Sequence, residues 1–246
     1  MVPQYTPKES EVYGRFTREM AKALDNPNQS IGTRIEELAE KMPNEIALYY
    51  QDDSWSWKAL NEESNRFANY FLDLGLNPGD TVAIMLENSP EYLFITTGIN
   101  KIQAISALIN VNQRKQSLIH SFNIVDSKWI LVDGDSLPYF TAIVNHLPHK
   151  NENIFVINNY QDISHDFLEL PALLKNASIS NPPTTFNSIL RQTAFYIFTA
   201  GTTGLPKAVI HENFKLYTQG YFFGLALVQL DANDILYIPT PLYHNL

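Results

Sequence analysis

Apolar and polar positions change period several times along the chain, and each change predicts a different element. Between residues 10 and 24 the apolar positions have mixed helical spacing, and the cluster Asp25, Asn26, Pro27, Asn28 predicts a turn after them. From Thr33 the positions Ile35, Leu38, Ala39 and Met42 recur at helical spacing; Thr33 and Glu36 have the spacing of a capping box, and Pro43 ends the helix. Residues 46–50 and 54–57 flank Gln51, Asp52 and Asp53, and their pattern predicts a hairpin. Helical spacing returns over 58–74, with Leu60, Phe67, Phe71 and Leu74 on one face and Gly75 as the stop. A turn follows at Asn77, Pro78, Gly79 and Asp80.

Beyond that turn the two periods alternate. Runs that read as buried strands, at 81–86, 104–109, 129–132 and 154–157, are separated by helical patterns at 90–102, 116–125 and around 139–146. Strands without in-out alternation, joined by helices, predict βαβ units in a mostly parallel sheet covered on both faces. The fold class is therefore α/β, built as layered βαβ subdomains. Residues 158–192 carry Pro171, Pro182 and Pro183 among Ser, Asn and Thr, and read as a connecting segment with one short helix at 167–175. A strand at 195–198, a polar loop, a short strand at 207–210, a helix over 212–228 and a last strand at 235–238 complete the pattern.

Composition narrows the possible functions. The 246 residues are 45% hydrophobic and 12% aromatic, which supports a packed core and argues against disorder. Lys and Arg number 17 against 26 Asp and Glu, for a net charge of −9, with no basic stripe, so nucleic acid is not the expected partner. With no cysteine, disulfides, thiolate metal sites and a Cys nucleophile are excluded. The first residues lack the basic flank and apolar run of a signal peptide. The most apolar long window, 92–111, contains Asn100, Lys101 and Gln103 and does not read as a spanning helix, which predicts a cytoplasmic protein.

One segment carries chemistry. Thr199, Ala200, Gly201, Thr202, Thr203, Gly204, Leu205, Pro206 and Lys207 follow an apolar strand directly. Glycines let backbone N–H groups approach an anion, threonine hydroxyls add donors, and Lys207 adds positive charge, so each part suits a polyphosphate. The spacing is neither that of the Walker loop, in which Gly directly precedes Lys, nor that of the dinucleotide fingerprint. On composition alone an ordinary hairpin turn between 195–198 and 208–210 accounts for the same residues. His120, His146, His149, His165 and His211 show no metal-ligand spacing, and the pairs Asp52–Asp53 and Glu62–Glu63 read as solvated surface. An aromatic run of Tyr217, Tyr221, Phe222 and Phe223 reads first as core packing.

The full string from Tyr196 to Lys207 closely resembles the AMP-binding signature of the adenylate-forming superfamily. The usual form runs Ser/Thr, Ser/Gly, Gly, Ser/Thr, Thr, Gly, any residue, Pro, Lys, Gly. Residues 33–42, 54–60, 65–75 and 74–84 look like the family's opening segments in order and distance. Residues 85–91 and 107–112, Ala208 after Lys207, and residues 241–244 are similar to the fatty-acid transport protein, or very-long-chain acyl-CoA synthetase, branch. The resemblance covers nearly everything from residue 31 onward. Ala200 departs from the signature and removes at most one hydroxyl contact.

The resemblance implies the N-terminal portion of an acyl-CoA synthetase-like fold: an extension at 1–30, a first βαβ subdomain at 81–158, a connecting segment at 159–192, and the start of a phosphate-loop subdomain at 193–246. It implies a ligase that uses ATP, Mg²⁺ and CoA to convert a long or very long fatty acid to acyl-AMP and then to the thioester. Thr199, Ala200, Gly201, Thr202, Thr203, Gly204 and Lys207 would hold the ATP phosphates, and Tyr243 and His244 would line the acyl pocket near the reacting carboxylate. Fatty acid, ATP and CoA are the implied partners, with no transmembrane span, and peripheral membrane contact is compatible with that list. The family motifs that would hold adenine, ribose and the late catalytic Lys do not occur in these 246 residues. The expectation is a fragment with no catalytic or metal-binding residue of its own and little activity alone. The alternative is a non-catalytic module that binds a nucleotide or an acyl chain.

Overall fold

A computed structural model of the chain describes residues 6–158, 167–199 and 204–244. Helix α1, Pro7–Asp25, starts at Thr6, whose side chain and Glu9 cap each other reciprocally. Helix α2, Ile31–Lys41, starts two residues earlier than the pattern predicts. Its cap is Ser30: Ser30 Oγ accepts from Thr33 N–H at 3.2 Å, and Thr33 Oγ1 accepts from Ser30 N–H at 2.9 Å. Thr33 is thus the third-position partner of the box and not the cap. Strands β1, Ile46–Tyr50, and β2, Asp53–Ser56, form the expected antiparallel hairpin. Helix α3, Trp57–Asp73, begins once Ser56 Oγ has accepted from Ala59 N–H, and Gly75 supplies the left-handed φ of +78° that ends it.

The alternating region then builds β3 (Thr81–Met85), α4 (Pro90–Lys101), β4 (Ile105–Leu108), α5 (Lys115–Asn123), β5 (Trp129–Asp133), α6 (Leu137–Thr141) and β6 (Ile154–Ile157). The helix expected around 139–146 is divided into α6 and a 3₁₀ turn at Val144–His146. In the connecting segment, Leu168–Glu169 forms β7 beside Phe155 and Val156 before Leu170–Leu174 winds into α7. Part of that segment, with His165, lies outside the described residues. Strands β8, Thr193–Thr199, and β9, Lys207–Glu212, precede α8, Asn213–Gln219. The single helix expected over 212–228 changes winding after α8: Gly220–Val228 is π-helical, and Gln229, at φ +64°, stops it.

One seven-stranded sheet has the order β7-β6-β5-β3-β4-β8-β9, parallel throughout except for β9, which runs antiparallel to β8. Strands β3, β4 and β6 are buried along their whole length, which is why their sequences are apolar but for Thr81 and Ser106. The strand expected at 235–238 does not form. Ile235, Leu236, Tyr237 and Ile238 are 77, 64, 83 and 50% exposed, because a strand needs a neighbour and none of the described residues pairs with them. Among the described residues no helix is long and apolar enough to cross a membrane.

Helix α4 is packed on nearly every side, and two contacts fix it against α2 and α3. A Cβ on Gly98 would stand 2.6 Å from Ser64 O, so the α3–α4 approach requires glycine. The Lys101 ammonium is wholly buried and donates to Glu36 Oε1 at 3.0 Å, Asn61 Oδ1 at 2.5 Å and Asn65 Oδ1 at 2.6 Å. A buried charge persists only where its hydrogen bonds are met, and here a carboxylate and two amides meet them.

Gly98→Ala is expected to destabilise the protein by about 1–3 kcal/mol in urea unfolding, because the obstructing atom is backbone. Gly14→Ala on α1, where the nearest atom is the mobile Arg18 guanidinium at 3.5 Å, is expected to change little or stabilise.

Burial pushes the Lys101 ammonium down to about 8, against the pull of Glu36. An unfolded lysine titrates near 10.5, so between these values the unfolded chain binds more protons and stability rises with pH. Unfolding free energies of wild type and Lys101→Met, measured from pH 7.5 to 10, should diverge in favour of wild type above pH 8. The expected span is on the order of 3 kcal/mol, and a gap unmoved by pH would refute it.

Candidate functional site

Strand order positions the site. From β3 the chain crosses to β4 on one side, and from β4 it crosses back over β3 to β5 on the other. Right-handed crossovers send the intervening helices to opposite faces, so the loops after β3 and β4 part and leave a crevice at the carboxyl ends of the strands. Thr199 ends β8, which runs parallel to β4, so the Thr199–Lys207 segment opens on the same edge of the sheet.

The described ends of the phosphate-loop candidate lie on two antiparallel strands. Thr199 and Lys207 are paired across β8 and β9, Gly204 takes a φ of +88°, and both Thr199 and Lys207 are exposed. Ala200, Gly201, Thr202 and Thr203 lie outside the described residues. At the foot of the turn, His120 Nε2–H on α5 donates to Pro206 O at 3.0 Å, which fixes its tautomer and ties the residue before Lys207 to the sheet's helical cover.

Tyr243 and His244 come to the same edge. Tyr243 is buried, and its hydroxyl accepts from Asn112 Nδ2–H, in the loop after β4, at 3.0 Å. Burial raises the Tyr243 phenol; Asn112 opposes that shift, and Glu87 adds to it. Tyr92 lies fully inside with its hydroxyl unpartnered, and burial, then Tyr243, pushes it well above its ordinary value. His244 is exposed, with its ring centroid 4.8 Å from that of Tyr243. Of the two, Tyr243 enters the core and His244 stands at the mouth.

Acidic groups line the far side. Asp133 Oδ2 accepts from Glu87 N–H at 2.5 Å and Oδ1 from Ser136 N–H at 2.7 Å, which ties the loop after β3 to the loop after β5. Burial first, then the charges of Asp133 and Asp135, raises the Glu87 carboxyl. The Arg114 guanidinium lies 3.3 Å over the Tyr139 ring, a cation–π contact joining the loop after β4 to α6. Among the described residues no cluster of His, Asp and Glu has the arrangement to hold a metal ion.

Other sequence candidates go elsewhere. Tyr217 OH donates to Ser30 O at 3.0 Å, and Phe222 packs edge-on against Phe16 of α1 at 5.3 Å. Both are packing contacts, though none of the four aromatics enters the core and Phe223 is 53% exposed. His211 is buried in β9 beside Lys215, and burial, then that charge, lowers its pKa. Asn88 and Asn112 were given no role by the residue pattern. The available signal was their position, polar residues just past the ends of buried strands at a reversal of strand order.

Residues 35–246 match the family model described as AMP-binding enzyme. The medium/long-chain-fatty-acid–CoA ligase FadD6 of Mycobacterium tuberculosis is 30% identical over 223 residues, which are 91% of this chain and 36% of that protein. Long-chain fatty acid transport protein 6 of Mus musculus is 31% identical over 206 residues, 83% of this chain and 33% of that protein. This chain therefore spans about a third of the length of the curated relatives it matches. Among solved structures, the inhibitor-bound N-terminal domain of FACL13 from Mycobacterium tuberculosis aligns with a TM-score of 0.73 at 22% identity, over 88% of this chain and 52% of that one. A long-chain-fatty-acid–CoA ligase, FadD1, from Archaeoglobus fulgidus aligns with a TM-score of 0.71 at 21% identity, over 89% of this chain and 43% of that one. At these identities the structural likenesses establish the fold.

Proposed function

We infer the activity from one premise: this chain belongs to the family of AMP-binding enzymes. Our reading is an ATP-dependent fatty acid–CoA ligase that takes a long-chain or very-long-chain acid. What supports it is the signature string Thr199–Lys207, whose described ends Thr199 and Lys207 pair across β8 and β9 on the sheet edge that also receives Tyr243.

The first half-reaction joins the fatty carboxylate to the α-phosphate of ATP and releases pyrophosphate; CoA thiolate then displaces AMP to give the thioester. The transition state gathers negative charge around phosphorus, so catalysis rests on positioning and on matching that charge. The backbone N–H groups and hydroxyls of Thr199, Ala200, Gly201, Thr202, Thr203 and Gly204 would bind the β- and γ-phosphates, and the exposed Lys207 ammonium would supply the cation. Tyr243 and His244 would border the carboxylate end of the acyl chain. No residue here is assigned to Mg²⁺. We place the protein in the cytoplasm, with the membrane surface as a source of substrate.

The test is exchange of labelled pyrophosphate into ATP by the protein as its own cells make it. Exchange should require a fatty acid such as palmitate, and Lys207→Ala should lower it about ten- to a hundredfold while leaving the unfolding midpoint in place. Nucleotide binding without acid-dependent exchange would favour a non-catalytic binding module.

A further inference from the structure

The stretch after the π-helix, residues 231–244, has no strand neighbour. Among the described residues its hydrogen bonds to the rest of the protein come from two asparagines in the loops that part at the crevice. Asn88 Nδ2–H donates to Thr240 O at 2.9 Å, and Asn88 Oδ1 accepts from Leu242 N–H at 2.8 Å. Those two groups flank Pro241 and are the pair that one residue of a neighbouring parallel strand engages. Asn112 fixes the next position through the Tyr243 hydroxyl. His244 N–H then closes the turn on Pro241 O at 3.0 Å.

The Asn88 loop is itself held from several sides. Tyr50 OH on β1 donates to Asn88 O at 3.1 Å, Asp133 takes the N–H of Glu87, and Ser89 caps α4. A side chain mounted on so braced a loop can transmit a defined position.

We propose that Asn88 is a positioning residue: its amide is a two-point clamp that sets the register of residues 240–244 in the crevice, so that Tyr243 turns inward and His244 faces the mouth. The acyl role of that segment rests on the ligase reading above. A slip of one residue would send His244 into the buried slot and expel Tyr243. Only a neutral amide supplies the donor and the acceptor at this spacing without charge. An aspartate in its place keeps the acceptor but sets a carboxylate oxygen against Thr240 O. Neither change touches the reacting atoms, so the effect passes through the segment.

Two readouts test this on the purified 246-residue chain: hydrogen exchange at the Leu242 amide, and equilibrium dialysis with radiolabelled palmitate. Asn88→Ala and Asn88→Asp should each speed Leu242 exchange by about tenfold or more while amides of β3 and β4 keep their protection. Asn88→Ala should weaken palmitate binding by about tenfold, and the loss should fall below about twofold in a His244→Ala background, because residues acting through one segment are not additive. Rescue by no substitution but the return of asparagine would fit the same clamp. Unchanged Leu242 exchange overturns the proposal. So does a palmitate loss of equal size in both backgrounds, which marks a general effect on the fold. Faster Leu242 exchange in a chain that binds no palmitate would uphold the clamp and remove its acyl role, while the ligase reading stands or falls on the pyrophosphate exchange above, so the two failures are separable.

Discussion

Strand β3 satisfies its backbone only between two parallel neighbours: Ile84 stands opposite Leu108 of β4 and Leu131 of β5. A parallel neighbour cannot be reached by a tight turn, so each connection must climb over a face of the sheet as a helix. Because the crossovers share one hand, reversing direction at β3 changes the face, and the loops after adjacent strands part. The crevice is a consequence of that pairing and precedes any particular chemistry. Glu87, Asn88, Asn112, Asp133 and Tyr243 meet there because the edge where they meet is the open end of the strands.

Polar contacts tie the loops around the crevice to one another, beside the apolar packing of Tyr243. Asp133 spans two loops by accepting backbone N–H groups, and Arg114 covers Tyr139. The last described segment is docked by neutral amides. An asparagine matches a peptide group in donors and acceptors and carries no charge to desolvate, so it extends backbone pairing where the chain offers no strand. Pro241, which has no N–H, sits between the two groups that Asn88 engages, so a missing donor in the segment costs the clamp nothing.

Two lysines show how surroundings assign work to one residue type. Lys101 is enclosed by Glu36, Asn61 and Asn65 and joins three helices. Lys207 is exposed at the foot of the hairpin turn, next to the carbonyl of Pro206 that His120 holds. On the proposed ligase reading, this exposed ammonium, in a protein with a net charge of −9, is the cation that would meet the polyphosphate. The buried one is suited to fixing α4.

The sequence by itself determined the parallel α/β core, because strands covered on both faces must be almost wholly apolar, and those at 81–85, 105–108 and 154–157 carry only Thr81 and Ser106 as polar residues. It also made the family legible, since the glycine, threonine, proline and lysine spacing of the signature is local and needs no knowledge of contacts. Local pattern misled at the start of α2, where Ser30 and Thr33 compete for one cap, and at 235–238, where β-forming residues find no partner. Which residues meet was decided only in three dimensions. Asn88 and Thr240 are 152 residues apart, Asn112 and Tyr243 are 131 apart, and Lys101 meets Glu36 across 65. No periodicity in the chain records such separations, because they are set by the order of strands in the sheet and by the face each crossover takes.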